Sequence, residues 1–463
     1  MQFKHTVASF LVLGFVFSAL GSGFSLYEPS TVSSAMGGAL IGKAMDASAN
    51  FNNPATLTDL TNIEITVGFV TEHPRGQVRG KLDGRAWDTG DVACDPGLFW
   101  LPHLQLSVPL PCDFTFGLSA GAEYGLGTAY DSDFPMNWSS DETTVQGYVL
   151  NPNLAYKITD KWSVAIGLRW LFFDFEQTSD PFIAHDTYEL GRAGTRLKGD
   201  NSFRSLGWVV GTKYDITKDF SVGAVYKSAI DATIEGHIRT KVRSRNAAAI
   251  DGVADGATKQ ALMQMGVPQA AWPMYYPQVF QQALAAVNSQ VNSGVAARNG
   301  DASADLTLPQ SVAFGFNWDI NEDHHVGMQF SWTQWSELDS LHFRLAGGDK
   351  DVYLNWNDTW RASIGYRWDF ADDWSCMFSY VFDQDCCLNQ DQGSAMLPPA
   401  HRNIVSGGIT WSVCKNLDFS MCYSCIFMDG GSFDTKDEFA RQYHLETCRG
   451  FCHAVGCSLT FRF

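Results

Sequence analysis

The chain has 463 residues, 18% of them charged and 13% aromatic, with a formal net charge of −18. So many aromatics and so few charges exclude a disordered chain, and the acidity argues against nucleic acid as a partner, since phosphate binding needs a basic face. Length alone suggests two or three soluble domains, but the order of residues along the chain points to one membrane domain.

Met1 to Gly23 reads as a secretory signal. Lys4 and His5 make a short polar start, Thr6 to Leu20 is an apolar run, and Ala19, Gly21 and Gly23 supply small residues for cleavage. No later apolar run is long enough for a spanning helix. Residues 24–62 carry no alternation. Ala35, Gly37, Gly38, Ala39, Gly42 and Ala44 form a small-residue stretch, followed by Phe51-Asn52-Asn53-Pro54-Ala55. Pro54 stiffens the backbone and turns Asn53 away from helix. A segment of this kind ahead of the first strand suits a plug folded into a lumen; a periplasmic tail is the alternative.

From residue 63 onward the chain alternates with period 2. Fourteen strands are predicted, near 63–70, 101–110, 114–124, 147–158, 162–173, 204–215, 219–229, 308–319, 324–335, 359–370, 373–383, 402–413, 417–428 and 453–463. In the last of them Val455, Cys457, Leu459, Phe461 and Phe463 share one face, while Gly456, Ser458, Thr460 and Arg462 share the other. Bulky apolar residues on one face suit lipid, and small or polar residues on the other suit a filled or wet lumen. Short turns such as Pro111–Asp113 and Ile216–Lys218 alternate with long connections at 125–146, 174–203, 230–307 and 429–452. That asymmetry and the even count are those of an outer-membrane barrel. In hydrocarbon every backbone N–H and C=O must be paired, so a sheet spans only as a closed barrel. The fold class is therefore all-β: a 14-stranded antiparallel transmembrane β-barrel over 63–463, plugged by an N-terminal hatch at 24–62. A helical insertion is expected at about 243–305.

The eleven cysteines fall mostly late in the chain, and Cys386, Cys387, Cys448 and Cys452 are expected in outer loops, where an exported protein can form disulfides. Cys422 and Cys425 fall on opposite strand faces, which excludes dithiol redox chemistry there. His444, Cys448, Cys452 and His453 do not have a standard zinc spacing, so no metal is assigned. No nucleophile elbow, phosphate loop or dinucleotide fingerprint stands out. Neither an enzyme nor a cofactor is expected.

Several motifs carry a resemblance. Gly23-Phe24-Ser25-Leu26-Tyr27-Glu28, Gly42-Lys43-Ala44 and Asn53-Pro54-Ala55 resemble the hatch of the FadL/TodX family of outer-membrane transporters of hydrophobic compounds. Trp100-Leu101-Pro102-His103, Glu123-Tyr124-Gly125-Leu126, Leu308-Pro309-Gln310-Ser311, Trp332-Thr333-Gln334-Trp335-Ser336, Asp358-Thr359-Trp360-Arg361 and Leu397-Pro398-Pro399-Ala400-His401-Arg402 resemble later family motifs in the same order. The resemblance implies passive uptake of long-chain fatty acids or aromatic hydrocarbons by a monomer seated in outer-membrane lipid. Ligand would bind at the outer loops, pass to a lumenal site beside the hatch, and leave sideways through a kink in the third strand.

On that reading Phe24, Asn53, Pro54 and Ala55 belong to the hatch. Ser119, Ala120, Gly121 and Ala122 form the kink, or else make room for the plug. Trp272, Met274 and Tyr275 in the insertion give a greasy capture surface, or a self-packed lid. Arg169, Lys213, Lys227, Arg361 and Arg367 face the lumen, where a cation could hold a carboxylate. They could equally pair with Asp46, Glu123 or Asp383. The family's basic residue at the outer end of strand five has no match, since Phe173, Asp174 and Phe175 stand there. This weakens fatty acid relative to a neutral ligand. The alternative function is a structural or adhesive barrel whose loops bind a surface partner.

Overall fold

The computed structural model describes residues 23–201, 205–338, 340–345, 348–387, 389, 393–398 and 400–463. The predicted signal peptide thus lies outside the described residues, apart from Gly23.

Fourteen antiparallel strands form the wall: β1 (Glu64–Leu82), β2 (Phe99–Pro109), β3 (Phe114–Ala129), β4 (Glu142–Thr159), β5 (Trp162–Ser179), β6 (Leu206–Asp215), β7 (Phe220–Lys227), β8 (Ser311–Asp319), β9 (His324–Thr333), β10 (Thr359–Ala371), β11 (Trp374–Asp383), β12 (Ala400–Cys414), β13 (Leu417–Gly430) and β14 (Gln442–Arg462). β1 pairs with β14 from Glu64↔Arg462 to Leu82↔Tyr443, which closes the sheet. The alternation works as predicted. On β5, Trp162, Ile166, Leu168 and Phe172 are exposed on the outside, while Ser163, Ala165, Gly167 and Arg169 are buried inside.

Several predicted long loops are partly strand. β1, β3, β5 and β14 outrun their predicted ends, and the wall continues above β5–β9 through Tyr188–Asn201, Ile230–Arg245, Gly300–Leu308 and Ser340–Leu345. The cause is a change of outward chemistry. On β5 the exposed face turns from Phe172 to Asp174, and the facing rim residues Lys198, Glu235 and His237 are polar too. An apolar template ends where the lipid ends, although the hydrogen-bond ladder goes on. The insertion narrows to two helices, Ala247–Gln264 and Trp272–Ala296. Their base packs Ile250, Ala254, Val287 and Val291 on Ile183, Leu190 and Ala193.

The N-terminal segment lies within the barrel. It holds α1 (Thr31–Ala35), α2 (Ala49–Asn52) and a 3₁₀ turn at Pro54–Asp59. Most of it is buried against the inner faces of the strands. Lumenal glycines make this fit possible. A Cβ at Gly223 would collide with the Ile41 carbonyl, one at Gly327 with the Ala39 carbonyl, and one at Gly211 with the Asn53 amide. Asn53 is fully buried, and its Nδ2 donates to the carbonyls of Ile41 at 2.7 Å and Thr212 at 3.0 Å. Its Oδ1 accepts from Ala55 N–H at 3.2 Å, which caps the turn that Pro54 begins. Ion pairs of Lys43 with Asp319 and of Lys213 with Asp59 tie the same segment to the wall.

Candidate ligand cavity and wall opening

The wall parts at β3. Pairing between β2 and β3 runs from Pro109↔Thr115 only as far as Leu104↔Ala120. Beyond that, β2 stays with β1 as far as Glu72↔Phe99. β3 stays with β4, but with a bulge between Ala122 and Tyr124 that takes Glu123 out of the ladder. Of the run expected to kink, Ser119 and Ala120 are still paired with β2, and the parting begins at Gly121.

The freed edge of β3 finds a new partner. Gly125 N–H donates to the Phe24 carbonyl at 2.8 Å, and Leu26 N–H donates to the Glu123 carbonyl at 2.9 Å. The N-terminal segment thus supplies a short antiparallel strand where β2 has left. A space remains beside it, lined by residues that include Leu26, Phe99, Leu101, Tyr124, Leu126 and Tyr148.

Glu123, on the inner face with Ser119 and Gly121, meets two cations. Its carboxylate lies 2.9 Å from Arg169 and 2.7 Å from Lys227. Arg169 is 2% exposed, and it also donates to the Ser228 carbonyl at 2.8 Å and to the Tyr124 hydroxyl at 3.3 Å. The Lys227 ammonium sits 3.7 Å from the Phe51 ring centroid, a cation–π contact that reaches the N-terminal segment.

A second cavity begins at Phe24 and extends under the rim. Val145, Phe173, Ile234, Leu306 and Trp356 help to line it, so its walls are almost wholly apolar. Phe24 forms the floor, with its ring centroid 4.9 Å from Trp335 and 5.9 Å from Tyr124. Lys198 contributes to the wall, but Leu197 and Gly199 are its inward neighbours. Its side chain is exposed on the outer face, 3.7 Å from Glu176.

The sequence profile of the outer-membrane transport protein family OMPP1/FadL/TodX matches residues 15–463. The chain belongs to this family. It is 22% identical to the long-chain fatty acid transport protein of Escherichia coli O6:H1, with 96% of this chain and 95% of that relative covered. It is 21% identical to outer membrane protein P1 of Haemophilus influenzae strain KW20, covering 91% and 90% of the two chains. A Pseudomonas aeruginosa FadL homologue shares the fold at a TM-score of 0.75 and 18% identity, covering 96% of this chain and all of the other. The Pseudomonas putida toluene transporter TodX does so at 0.66 and 16% identity, covering 94% and 98%. This FadL/TodX member is an outer-membrane β-barrel of a transport family, not of an enzyme family.

Within this FadL/TodX barrel the predicted ligand cations have other partners. Arg169 faces Glu123, one of the carboxylates the sequence offered as an alternative. Arg361 stacks 3.9 Å from the Tyr27 ring centroid and donates to the Gly37 carbonyl at 3.3 Å. Arg367 pairs with Asp369 at 2.7 Å, near the turn into β11. None of the three lines either cavity. Trp272, Met274 and Tyr275 do not line them either. They sit at the far end of the helical hairpin, where Met274 is 80% exposed, one helix length (roughly 25 Å) from its base. The cysteines expected to cross-link outer loops form no disulfide among the described residues. Cys448 and Cys452 belong to β14, not to a loop. Sequence reading missed Arg402, which donates to the carbonyls of Ser25, at 3.1 Å, and Gly23. Its motif was visible, but its partners lie more than 370 positions away in sequence.

Proposed function

We propose that the protein takes up hydrophobic small molecules passively through the outer membrane, as a monomer. The ligand enters under the rim and lodges in the apolar cavity on Phe24. It then leaves sideways into the bilayer through the parted wall between β2 and β3. The N-terminal segment acts as the hatch. The observation that carries this reading is the adjacency of the two cavities: Phe24 floors one, and its own backbone closes the gap beside the other.

Between the ligand classes named for the relatives, the cavity favours an uncharged one. A carboxylate would need a cation facing it. Arg169 and Lys227 are engaged by Glu123, and the Lys198 ammonium is on the outer face. A hydrocarbon or a neutral lipid fits as it stands, while a fatty acid would lodge without an anchor.

The test is uptake of labelled toluene and of labelled oleate by cells with and without the protein, alongside Ala304→Trp. Ala304 lines the cavity, so the indole fills it. Toluene uptake should depend on the protein and fall in the variant, with oleate the weaker substrate. Uptake of both compounds that is unaffected by deletion would refute the transport reading. Preferred oleate uptake would refute only the choice of a neutral ligand.

A further inference from the structure

We propose that Asp385, Cys386 and Cys387 form a binding site for a thiophilic divalent cation of the zinc type. The site lies just beyond β11, in the outer loop whose Ser394, Met396 and Leu397 line the apolar cavity. Adjacent residues of a strand point to opposite faces. Here the strand has ended at Asp383 and the chain bends at Cys386, which brings neighbouring side chains together. The ligand atoms of all three residues lie within 4.8 Å of one another.

The geometry suits a metal. The two sulfurs are 3.8 Å apart. With metal–sulfur bonds of about 2.3 Å, that separation corresponds to an S–M–S angle of about 110°, which is tetrahedral. The cluster is closed to water, at 3%, 0% and 6% exposure in sequence order. Its backbone is held in place. Asn357 N–H donates to the Cys386 carbonyl at 2.9 Å, and Cys387 N–H donates to Asp385 Oδ1 at 3.0 Å. The other oxygen, Oδ2, is buried without a hydrogen bond. A buried carboxylate oxygen left unpaired is costly, and a cation would satisfy it.

Charge balance agrees. Two thiolates and a carboxylate around a divalent ion leave one negative charge, and Arg402 acts on Asp385 from nearby. Soft thiolates select zinc-like ions over magnesium or calcium. Binding releases the two thiol protons, and the carboxyl proton where Asp385 carries one, to solvent and involves no redox change. The fourth tetrahedral position is not supplied by these three residues. Cys386 and Cys387 share a core cluster with Phe24, Trp335 and Trp356, so the ion would fix the loop over the cavity.

The experiment titrates cadmium into full-length, detergent-purified, reduced protein and follows the thiolate-to-cadmium charge-transfer absorption. One tight equivalent is expected. It should vanish in Cys386→Ser/Cys387→Ser and survive in Cys422→Ser/Cys452→Ser, with zinc competing for the site. Asp385→Asn should weaken it at least as much as the loss of an outer-shell partner does, about tenfold. Heat-modifiable gel migration verifies that each barrel is folded. Because folding could mask a loss, native mass spectrometry of wild type must also show one bound ion. Tight binding that persists in the Cys386/Cys387 variant would overturn the proposal. So would a disulfide between the two, found by non-reducing peptide mapping.

Discussion

Glu123→Gln is the substitution that tests the lumenal charge arrangement most directly. It removes the carboxylate and keeps the size. Two cations then face each other, with side chains 2% exposed for Arg169 and 16% for Lys227. Removing one partner of a buried ion pair costs about 3–5 kcal/mol, because a charge is left uncompensated. Here the loss should lie toward the upper end, since both ion pairs, at 2.9 and 2.7 Å, lose their shared anion together. Lys227→Met should cost much less, because the Arg169–Glu123 bond survives and the methionine stem still packs on Phe51. Adding Lys227→Met to Glu123→Gln removes one of the two orphaned charges, so it should recover about half the loss; such coupling is what a double-mutant cycle isolates. The assay is urea unfolding of the barrel in lipid vesicles, followed by tryptophan fluorescence. A Glu123→Gln barrel within about 0.5 kcal/mol of wild type, the range of an ordinary surface change, would refute the reasoning. So would a double variant less stable than Glu123→Gln alone.

Three further outcomes follow from the geometry. Gly223→Val should push the N-terminal segment off its seat against the Ile41 carbonyl, raising ion conductance in a planar bilayer above that of the wild type; unchanged conductance would contradict the close fit. Asn53→Ala removes the donor to two buried carbonyls, at about 1–3 kcal/mol for each group left unsatisfied. It should speed hydrogen exchange at residues 39–57 without altering that of the barrel strands. Burial pushes the Asp385 carboxyl up to about 7. The folded loop therefore binds this proton more tightly than the unfolded chain does, and its stability is greatest below the usual aspartate range and falls as pH rises toward 7. In metal-free protein, proteolysis of the 384–398 loop should accelerate over that window, and Asp385→Asn should flatten the profile.

The wall was legible because lipid imposes a simple rule. Trp162, Ile166 and Leu168 had to alternate with Ser163, Ala165 and Gly167, and each such run gave one strand. The rim was illegible for the same reason. Above Phe172 the outward face is wet, Asp174 replaces the hydrophobe, and period 2 no longer shows in hydropathy. Asn53 and Pro54 could be singled out because proline and asparagine carry local backbone meaning. The partners of Arg361 and Arg402 could not, since alternation tells which face a cation is on but not what it meets there. Glu123 is the partial exception: alternation with Ser119 and Gly121 puts it on the inner face among the carboxylates offered to the lumenal cations, but does not show that Arg169 and Lys227, from strands five and seven, both meet it.

Backbone accounting links the hatch to the proposed exit. A wall that parts inside a membrane strands a row of N–H and C=O groups, each costing several kcal/mol in hydrocarbon. At β3 the hatch answers this cost at two points, with the Phe24 carbonyl and the Leu26 N–H bonded to Gly125 and Glu123. The parted wall is therefore affordable only while residues 24–26 stay on that edge, and Arg402 holds them there by the carbonyls of Gly23 and Ser25. On the proposed route, a ligand that displaced Phe24 from the cavity floor would loosen the same three residues. Arg402→Met should then weaken the closed edge without touching the lining of the apolar cavity on Phe24. It should raise hydrogen exchange at Gly125 and Leu26 while leaving Leu106 and Leu118, where β2 and β3 still pair, as protected as before. Equal protection at both places would mean that β3 does not depend on the hatch.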